Sequence, residues 1–250
     1  MSTIQALAAS LTTSLKLRQP PIAVSLVASV PTGVASWTGS SPAGCRFWQE
    51  AATRTFATSP RNHDLCAIGV HTHNLEGTAA TNVDLGAALK VFGDLGYVRP
   101  EDVSQIPVLG NRPNFVVYGP LAEATATPDV VLLFVQASQT LVLSEAAQQL
   151  EGGAPPALGR PACAIIPQAV NSNRTALSLG CCGARAYLDI LTDEVAIFAV
   201  PGPSLAAFPE RVIALAKAND ILTVFHTLRR SDVESGKTPT VAESLAAMAA

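Results

Sequence analysis

Short apolar runs alternate with amphipathic segments along most of the chain, and this alternation constrains the fold more than any other feature. The runs at 22–27, 115–118, 130–134 and 194–200 have the length and composition of buried strands. Segments between them, such as 140–150, carry apolar residues at helical spacing. Strands that alternate with helices predict an α/β fold, here a mixed sheet with flanking helices in a single domain.

The low fraction of charged residues indicates which kinds of partner to expect. Charged residues make up 14% of the chain, whereas roughly 25% is usual for soluble domains. So few charges predict that part of the surface is covered by a second copy, in a homo-oligomer. The net charge is −3 and Arg229-Arg230 is the only adjacent basic pair. Because nucleic-acid binding needs clustered phosphate contacts, no nucleic-acid partner is expected.

No apolar run reaches the roughly 18 residues that a membrane-spanning helix needs, so no membrane partner is expected. Residues 1–18 lack the basic start and the continuous apolar stretch of a signal peptide. They instead show apolar residues at helical spacing, which predicts an amphipathic helix. We therefore expect a cytoplasmic protein, whose cysteines stay free or bind metal in a reducing compartment.

The five cysteines predict where the active centre lies. Cys45 and Cys163 are each followed by an alanine six residues later, and Cys66 and Cys181 are each followed closely by a glycine. This correspondence indicates an ancient duplication in which each half supplies two thiols. The fifth cysteine, Cys182, is adjacent to Cys181 and has no such counterpart.

The duplication divides the domain into two pseudo-repeated halves. The predicted halves are residues 15–110 and 111–225, and residues 230–250 form a C-terminal tail with a small helix. Each half would then carry one cysteine from each matching pair.

Thiolates that are far apart in sequence suit a [4Fe–4S] cluster held between structural elements. A structural zinc site usually shows paired cysteines two to four residues apart, which this chain lacks. The expected ligands are Cys45, Cys66, Cys163 and Cys181. If only three of them bind, one iron stays open for a redox or Lewis-acid reaction, as in an oxidoreductase or a lyase. Cys163 lies in an apolar run, so a buried hydrophobic role is an equally good interpretation of that residue.

Two other functions fit the same residues. His63, Cys66, His71 and His73 have spacing that suits zinc, which would make the protein a zinc-dependent hydrolase or lyase. A non-catalytic sensor, in which a metal or a thiol pair reports the redox state, is the third hypothesis.

Two charged residues near the cysteines are candidate catalytic groups. In a cavity, Arg185 would attract a carboxylate or phosphate, which predicts a small anionic metabolite as the substrate. A surface arginine explains the same residue equally well. Asp64, two residues before Cys66, is a candidate general base, although a loop aspartate commonly forms turns.

Several motifs together resemble the uncharacterised ArCR family, over about residues 15–225. They are Leu17-x-x-Pro20-Pro21-Ile-Ala-Val24, Gly44-Cys45, Cys66-x-x-Gly69, Pro128-Asp129-Val-Val-Leu-Leu, Ser178-x-Gly180-Cys181-x-Gly183-x-Arg185 and Asp193-Glu194. The resemblance associates cysteines with the positions of Cys45, Cys66, Cys163 and Cys181, and it places Cys182 at a variable position. It implies a cysteine-centred site, and no particular substrate.

Overall fold

A computed structural model of the chain describes residues 3–159 and 161–249. The strands in these ranges are β1 (Ile22–Val27), β2 (Ala35–Ser36), β3 (Phe56–Thr58), β4 (Phe115–Pro120), β5 (Val130–Val135), β6 (Ala157–Leu158), β7 (Ala176–Ser178) and β8 (Ala196–Pro201). They form one mixed sheet in the order β2-β3-β4-β1-β5-β8-β7-β6. Helices pack on both faces, which confirms the predicted α/β fold.

The α-helices in the described part of the chain are α1 (Thr3–Leu15), α2 (Arg46–Glu50), α3 (Ala67–Thr72), α4 (Ala79–Asp94), α5 (Ala137–Glu151), α6 (Ile165–Ser172), α7 (Cys182–Tyr187), α8 (Phe208–Glu234) and α9 (Val241–Ala249). None of them is both long enough and apolar enough to cross a bilayer.

Two predicted helices have different bounds in the structure. The sequence pattern after Cys45 predicts one helix over residues 46–56, but α2 ends at Glu50 and the chain then enters β3, which pairs with β4. The spacing of apolar residues also predicts a helix over residues 203–219. In the structure α8 continues to Glu234, because residues 220–234 contain neither glycine nor proline to stop it. The predicted tail at 230–250 therefore begins inside α8 and contains α9.

The first four strands and the last four have the same arrangement. From the centre of the sheet outward, the first set runs β1-β4-β3-β2 and the second runs β5-β8-β7-β6. In each set the two inner pairings are antiparallel and the outermost is parallel. Because β1 and β5 meet antiparallel at the centre, a pseudo-two-fold axis perpendicular to the sheet relates the sets. Along the chain, the first set of strands ends with β4 at Pro120 and the second begins with β5 at Val130, and the predicted halves 15–110 and 111–225 stay a prediction.

The loops next to the central strands repeat the symmetry in their hydrogen bonds. The Leu121 N–H donates to the Pro21 carbonyl at 2.7 Å, directly after β4. At the matching place after β8, the Gly202 N–H donates to the Asp129 carbonyl at 2.8 Å. The correspondence between the two halves thus extends beyond strand order to individual backbone contacts.

Each face of the sheet has its own hydrophobic core. One core packs α1, α5 and α8 against side chains such as Val131 and Phe198. The other packs α2, α3, α6 and α7 against side chains such as Ile22 and Leu132. Two of the cysteines, Cys45 and Cys163, belong to this second core, which therefore forms the side of the sheet that carries the candidate site.

Side-chain amides connect the two halves across the cysteine-bearing face. Gln49 on α2 accepts a hydrogen bond from the Asp189 backbone at 2.9 Å and donates to its carboxylate at 3.2 Å. Asn171 on α6 donates to the Val108 carbonyl at 2.7 Å and accepts from the Gly110 N–H at 3.1 Å. Each half thus holds a loop of the other through one amide, which fixes the relative positions of the cysteine-bearing elements.

Candidate functional site

All five cysteines of the chain line one cavity of about 540 Å³ on the second face of the sheet. We call it the cysteine cavity. The lining cysteines are Cys45, Cys66, Cys163, Cys181 and Cys182. Residues separated by more than a hundred positions in sequence therefore meet at one place. The structure brings together the four cysteines that were predicted as ligands, and it adds the fifth.

Cys45 and Cys163 occupy matching positions in the two halves. Cys45 precedes α2 on the connection from β2 to β3. Cys163 lies in the short 3₁₀ helix Ala162–Ala164, which leads into α6 on the connection from β6 to β7. Both residues are buried at 8% exposure. Each comes from the crossover that joins the two outermost strands of its half.

Cys66 and Cys181 form the second matching pair. Cys66 follows β3 and precedes α3, and Cys181 follows β7 and precedes α7. Both are half-buried. The Cys181 Sγ accepts a hydrogen bond from the Ala184 N–H at 3.4 Å, as a capping side chain does. By their places between the strands, Cys45 corresponds to Cys163 and Cys66 corresponds to Cys181.

The cysteines are close enough to affect one another electrostatically. Burial raises the pKa of the Cys45 thiol to about 12, and the neighbouring Cys66 and Cys181 contribute to the rise. Burial also raises the pKa of Cys163 well above its ordinary value, although the Thr72 hydroxyl donates to its Sγ at 3.3 Å. Without a bound cation, both thiols are protonated at neutral pH and are poor nucleophiles.

Glycines make room for the Cys66 sulfur. A Cβ at Gly69 would lie 2.9 Å from the Cys66 Sγ, which is closer than such atoms approach. A Cβ at Gly44 would lie 3.0 Å from the His63 Nδ1 and 3.9 Å from the same sulfur. Both motifs, Gly44-Cys45 and Cys66-x-x-Gly69, therefore contain glycine because the backbone passes directly beside the site.

His63 is fully buried and its hydrogen bonds define its tautomer. Its Nε2 lies 3.0 Å from the Thr58 hydroxyl, whose single proton is donated to the Val116 carbonyl at 3.1 Å. The Nε2 therefore carries the proton and donates it to Thr58, which leaves the Nδ1 lone pair bare. Among the described residues this buried Nδ1 has no hydrogen-bond partner. Burial, and then His73, lower the pKa of His63 to about 3.

His73 has the opposite tautomer. Its Nδ1 lies 3.0 Å from the Gly69 carbonyl, which can only accept, so Nδ1 carries the proton. The Nε2 is buried and has no partner in the described part of the chain. Burial lowers the pKa of His73 to about 4, against the effect of the bond to Gly69. The His63 and His73 ring centroids are 6.2 Å apart.

The four side chains predicted for zinc are separated. Cys66 and His71 line the cysteine cavity, whereas His63 and His73 do not line it and lie in the protein interior. No group of three or more His, Cys, Asp or Glu side chains within residues 3–159 and 161–249 is arranged around a common point that could hold a single metal ion.

Two buried hydrogen-bond donors on the same face of the sheet have no acceptor within the described residues. They are the Tyr118 hydroxyl and the Trp48 Nε1–H, and both side chains are fully buried. Burial, and then three cysteines of the site, raise the pKa of Tyr118 above its ordinary range. The hydroxyl is therefore protonated and lies near the thiols. An unpaired buried donor costs about 1–3 kcal/mol, so each needs an explanation.

Arg185 has contacts other than the predicted ones. It does not line the cysteine cavity. Its guanidinium donates to backbone carbonyls at residues 179, 191, 192 and 195. It therefore connects the segments on either side of α7, because one acceptor, Leu179, precedes Cys181 and the other three lie after the helix.

Asp64 also lies outside the residues that line the cavity. Its Oδ2 is 3.6 Å from the Arg61 guanidinium, and its buried Oδ1 has no hydrogen-bond partner within the described ranges. Its position next to a basic side chain of the same turn is that of a loop aspartate, and the cavity itself is lined by His71 instead.

One long segment of the first half encloses the cavity, and the sequence did not indicate its role. We call residues 79–106 the cover segment; it consists of α4, the 3₁₀ helix Pro100–Gln105 and the turns beside them. One face of α4 lines the cavity through Asp84, Leu85, Ala88, Leu89 and Phe92. Apolar residues at helical spacing gave a signal for this face, but the same pattern describes a helix that packs on an ordinary core.

Comparison with known proteins supports a family relationship. Residues 10–210 match the family described as Uncharacterised ArCR, which is the family that the motifs resemble. The match covers all of the strands and all five cysteines. No curated protein and no solved structure matches the chain significantly.

Proposed function

The chain belongs to the Uncharacterised ArCR family, and from the geometry of its site we propose that it holds a [4Fe–4S] cluster in the cysteine cavity. The proposed ligands are Cys45, Cys66, Cys163 and Cys181. One observation carries the proposal: these cysteines come from equivalent positions in two halves, and all of them line the same cavity.

The arrangement of the ligands suits a cluster better than a single ion. In a [4Fe–4S] cluster each cysteine binds a different iron, so the sulfurs surround a body of eight atoms and stand apart from one another. The ligands of one zinc ion all meet at the same point. Cysteines from separate segments that line one cavity of about 540 Å³ fit the first requirement.

The polar groups around the cavity also fit. Hydrogen bonds to the sulfurs of a cluster tune its potential, and donors are therefore expected beside the thiolates. The Tyr118 hydroxyl is such a donor, because it is buried near three of the cysteines and has no acceptor within the described residues. The Thr72 hydroxyl already donates to the Cys163 sulfur.

A bound cluster supplies either electron transfer or, at an iron without a protein ligand, Lewis-acid chemistry. The chain itself buries two of the proposed ligands, Cys45 and Cys163, and lines the cavity with the cover segment. We accordingly propose an oxidoreductase or a lyase, since these reactions use the chemistry that a cluster would supply. A cytoplasmic location belongs to the same proposal, because a reducing compartment keeps these thiols available.

The test is iron and sulfide analysis after anaerobic purification or reconstitution. We expect about four irons and four sulfides per chain, with broad visible absorption that bleaches on reduction. Serine variants of the four proposed ligands should lose most of the iron, whereas Cys182→Ser should retain it. Protein that remains colourless and free of iron after reconstitution contradicts the proposal. About one zinc per chain, lost in His71→Ala, would favour the zinc-dependent enzyme instead.

The proposal includes association with a second copy of the chain. Helix α8 has 27 residues, and most of its buried side chains lie in its first half. Its second half exposes Ile221, Leu222, Val224 and Leu228 to about half of their full extent. Exposed apolar residues at helical spacing are typical of a surface that another subunit covers.

A further inference from the structure

The cysteine cavity has more room than a metal cluster fills. Its volume of about 540 Å³ lies within the range of roughly 300–1,000 Å³ that is typical of small-molecule sites. The cysteines and the loops around them form one part of its wall, and the cover segment forms another. An eight-atom cluster beside the cysteines leaves the space next to the cover segment for a substrate.

The wall that faces this space is mainly apolar. Its apolar side chains in the cover segment are Leu85, Ala88, Leu89, Phe92, Val98, Val103 and Ile106, and Leu65 and Ile68 add to them from the region of Cys66. A lining of this kind stabilises hydrocarbon or aromatic surface that it removes from water.

The charges of the wall disfavour anions. Among the described residues that line the cavity there is no lysine and no arginine, but two carboxylates, Asp84 and Asp102, are present. The Asp102 charge is offset by Arg99, whose guanidinium donates to it at 2.6 Å and 2.7 Å. A cluster held by four thiolates would add further negative charge. An anion would therefore lose its hydration and gain no positive partner from the described residues that line the cavity.

A few polar groups remain to orient a ligand. His71 and Tyr187 both line the cavity, and neither belongs to the proposed ligand set. Small numbers of polar groups in an apolar wall fix the orientation of a bound molecule and give specificity.

From these observations we infer that the cavity binds an uncharged, mainly apolar small molecule between the cysteines and the cover segment. That this molecule reacts in the cavity depends on the proposed cluster. That it binds there depends only on the residues that line the cavity. The inference replaces the anionic substrate that was expected from Arg185, because that side chain is engaged by backbone carbonyls outside the cavity.

Three probes of equal chain length and different charge test the inference: octanol, octanoate and octylammonium. Their binding is measured by titration calorimetry at neutral pH, on metal-free and on reconstituted protein. We expect octanol to bind both forms, and octanoate to bind at least about tenfold more weakly, because its carboxylate is desolvated without a partner. Binding of octanoate as tight as that of octanol, or no binding of octanol to either form, overturns the inference. Tighter binding of octylammonium than of octanol overturns the claim that the ligand is uncharged.

A charge inserted into the wall gives a second test. Leu89→Lys places a cation on the cavity side of α4, whereas Val91→Lys places one on a neighbouring position that is 52% exposed and does not line the cavity. We expect Leu89→Lys to strengthen octanoate binding by about tenfold. Val91→Lys should leave it unchanged. Leu85→Lys provides the same charge from the preceding turn if Leu89→Lys does not fold. Equal effects of the cavity-facing and outward-facing lysines contradict the inference.

Iron analysis of the same samples separates the two proposals. Protein that binds octanol but contains no iron after reconstitution contradicts the cluster and supports the substrate class. Protein that contains about four irons but rejects octanol contradicts the substrate class and supports the cluster.

Discussion

Ala23 on β1 is paired with Val131 on β5, and the register of the sheet is symmetric about this pair. Ile22 pairs with Leu132 on one side, and Val24 pairs with Val130 on the other. The pseudo-two-fold axis therefore passes between Ala23 and Val131. The four proposed ligands form two pairs that correspond across this axis, and they line one cavity over the same sheet.

The close approach of Gly69 to Cys66 predicts the effect of adding one methyl group. Gly69→Ala would place a Cβ 2.9 Å from the Cys66 sulfur, so the sulfur must move. We expect the iron content after reconstitution to fall by more than half. The matched control is Gly183→Ala, which follows Cys181 in the other half and meets nothing within 4 Å. That variant should keep its iron and be stabilised by about 0.5–1 kcal/mol, as alanine favours a helix. Equal iron content in the two variants would count against a role for the Cys66 sulfur.

Arg185 is predicted to be a structural residue. Its guanidinium donates to backbone carbonyls on both sides of α7, at residues 179, 191, 192 and 195, so Arg185→Ala leaves these acceptors unpaired. We expect the free energy of unfolding to drop by about 3 kcal/mol, measured by urea denaturation. Arg185→Lys should recover less than half of this loss, because an ammonium cannot reproduce the planar fork. If Arg185 bound substrate instead, stability would stay at the wild-type level and only ligand affinity would change.

Tyr118→Phe is expected to have different effects on the metal-free protein and on the protein that holds the cluster. In the metal-free form the buried hydroxyl has no acceptor within the described residues, so its removal should leave stability unchanged or raise it by about 1 kcal/mol. In the loaded form the hydroxyl is expected to donate to a sulfur, and its loss should shift the reduction potential of the cluster. Denaturation of the metal-free protein and redox titration of the loaded protein measure the two effects. An unchanged potential together with a large loss of stability in the metal-free form would contradict this role.

The buried histidines predict how the metal-free protein responds to acid. The native pKa values of His63 and His73 are lowered to about 3 and about 4, while the unfolded chain binds protons near 6.5. Between these values the unfolded state holds more protons, so stability is fully present above pH 6.5 and is lost as pH falls. The slope is about 1.4 kcal/mol per pH unit for each histidine.

Urea denaturation at pH 6.5 and pH 5 measures the acid sensitivity of the metal-free protein. His63→Gln should reduce the loss of stability between the two conditions by about half, because one of the two buried histidines is gone. His226→Gln removes an exposed histidine on α8 and serves as the control, with the same loss as the wild type. An identical pH dependence in all three proteins would show that the buried imidazoles are not the cause.

The exposed apolar residues of α8 predict a dimer or a larger assembly. Replacement of Ile221 and Leu228 by lysine should produce a monomer of unchanged helix content, because both side chains are about half exposed within the single chain. Light scattering and circular dichroism measure the two properties. Leu141→Lys, at a similarly exposed position on α5, is the control that should preserve the assembly. A wild-type chain that is monomeric at high concentration would contradict the expectation.

The sequence was sufficient to predict the strands that form the centre of the sheet. Long apolar runs such as 130–135 are buried on both faces, and their composition alone distinguishes them. The edge strands β2 and β6 are two residues long and could not be predicted, because so short a pairing has no periodicity. These two edge strands nevertheless complete the symmetric strand order. The symmetry could therefore be seen only in the three-dimensional structure.

The candidate site was predictable in its residue types and not in its surroundings. The cysteines that the sequence singled out do line one cavity, and their role as ligands stays a prediction. The function of Arg185 could not be predicted, because a guanidinium bound to carbonyls and one that binds an anion have the same sequence. The role of the cover segment could not be predicted for a similar reason. The apolar face of a helix has the same sequence pattern whether it packs on a core or lines a cavity.

The inserted cover segment breaks the equality of the two halves. Residues 59–114 connect β3 to β4, whereas residues 179–195 suffice between β7 and β8. A frame made of two equal parts would give each matching pair of ligands identical neighbours. The insertion gives the cysteines of the two halves different neighbours. Matching cysteines therefore differ in how a ligand can reach them and in the polarity around them. A reaction at this site would then take place at one of the cysteine positions. The inserted segment, and not the repeated strands, would determine which position that is.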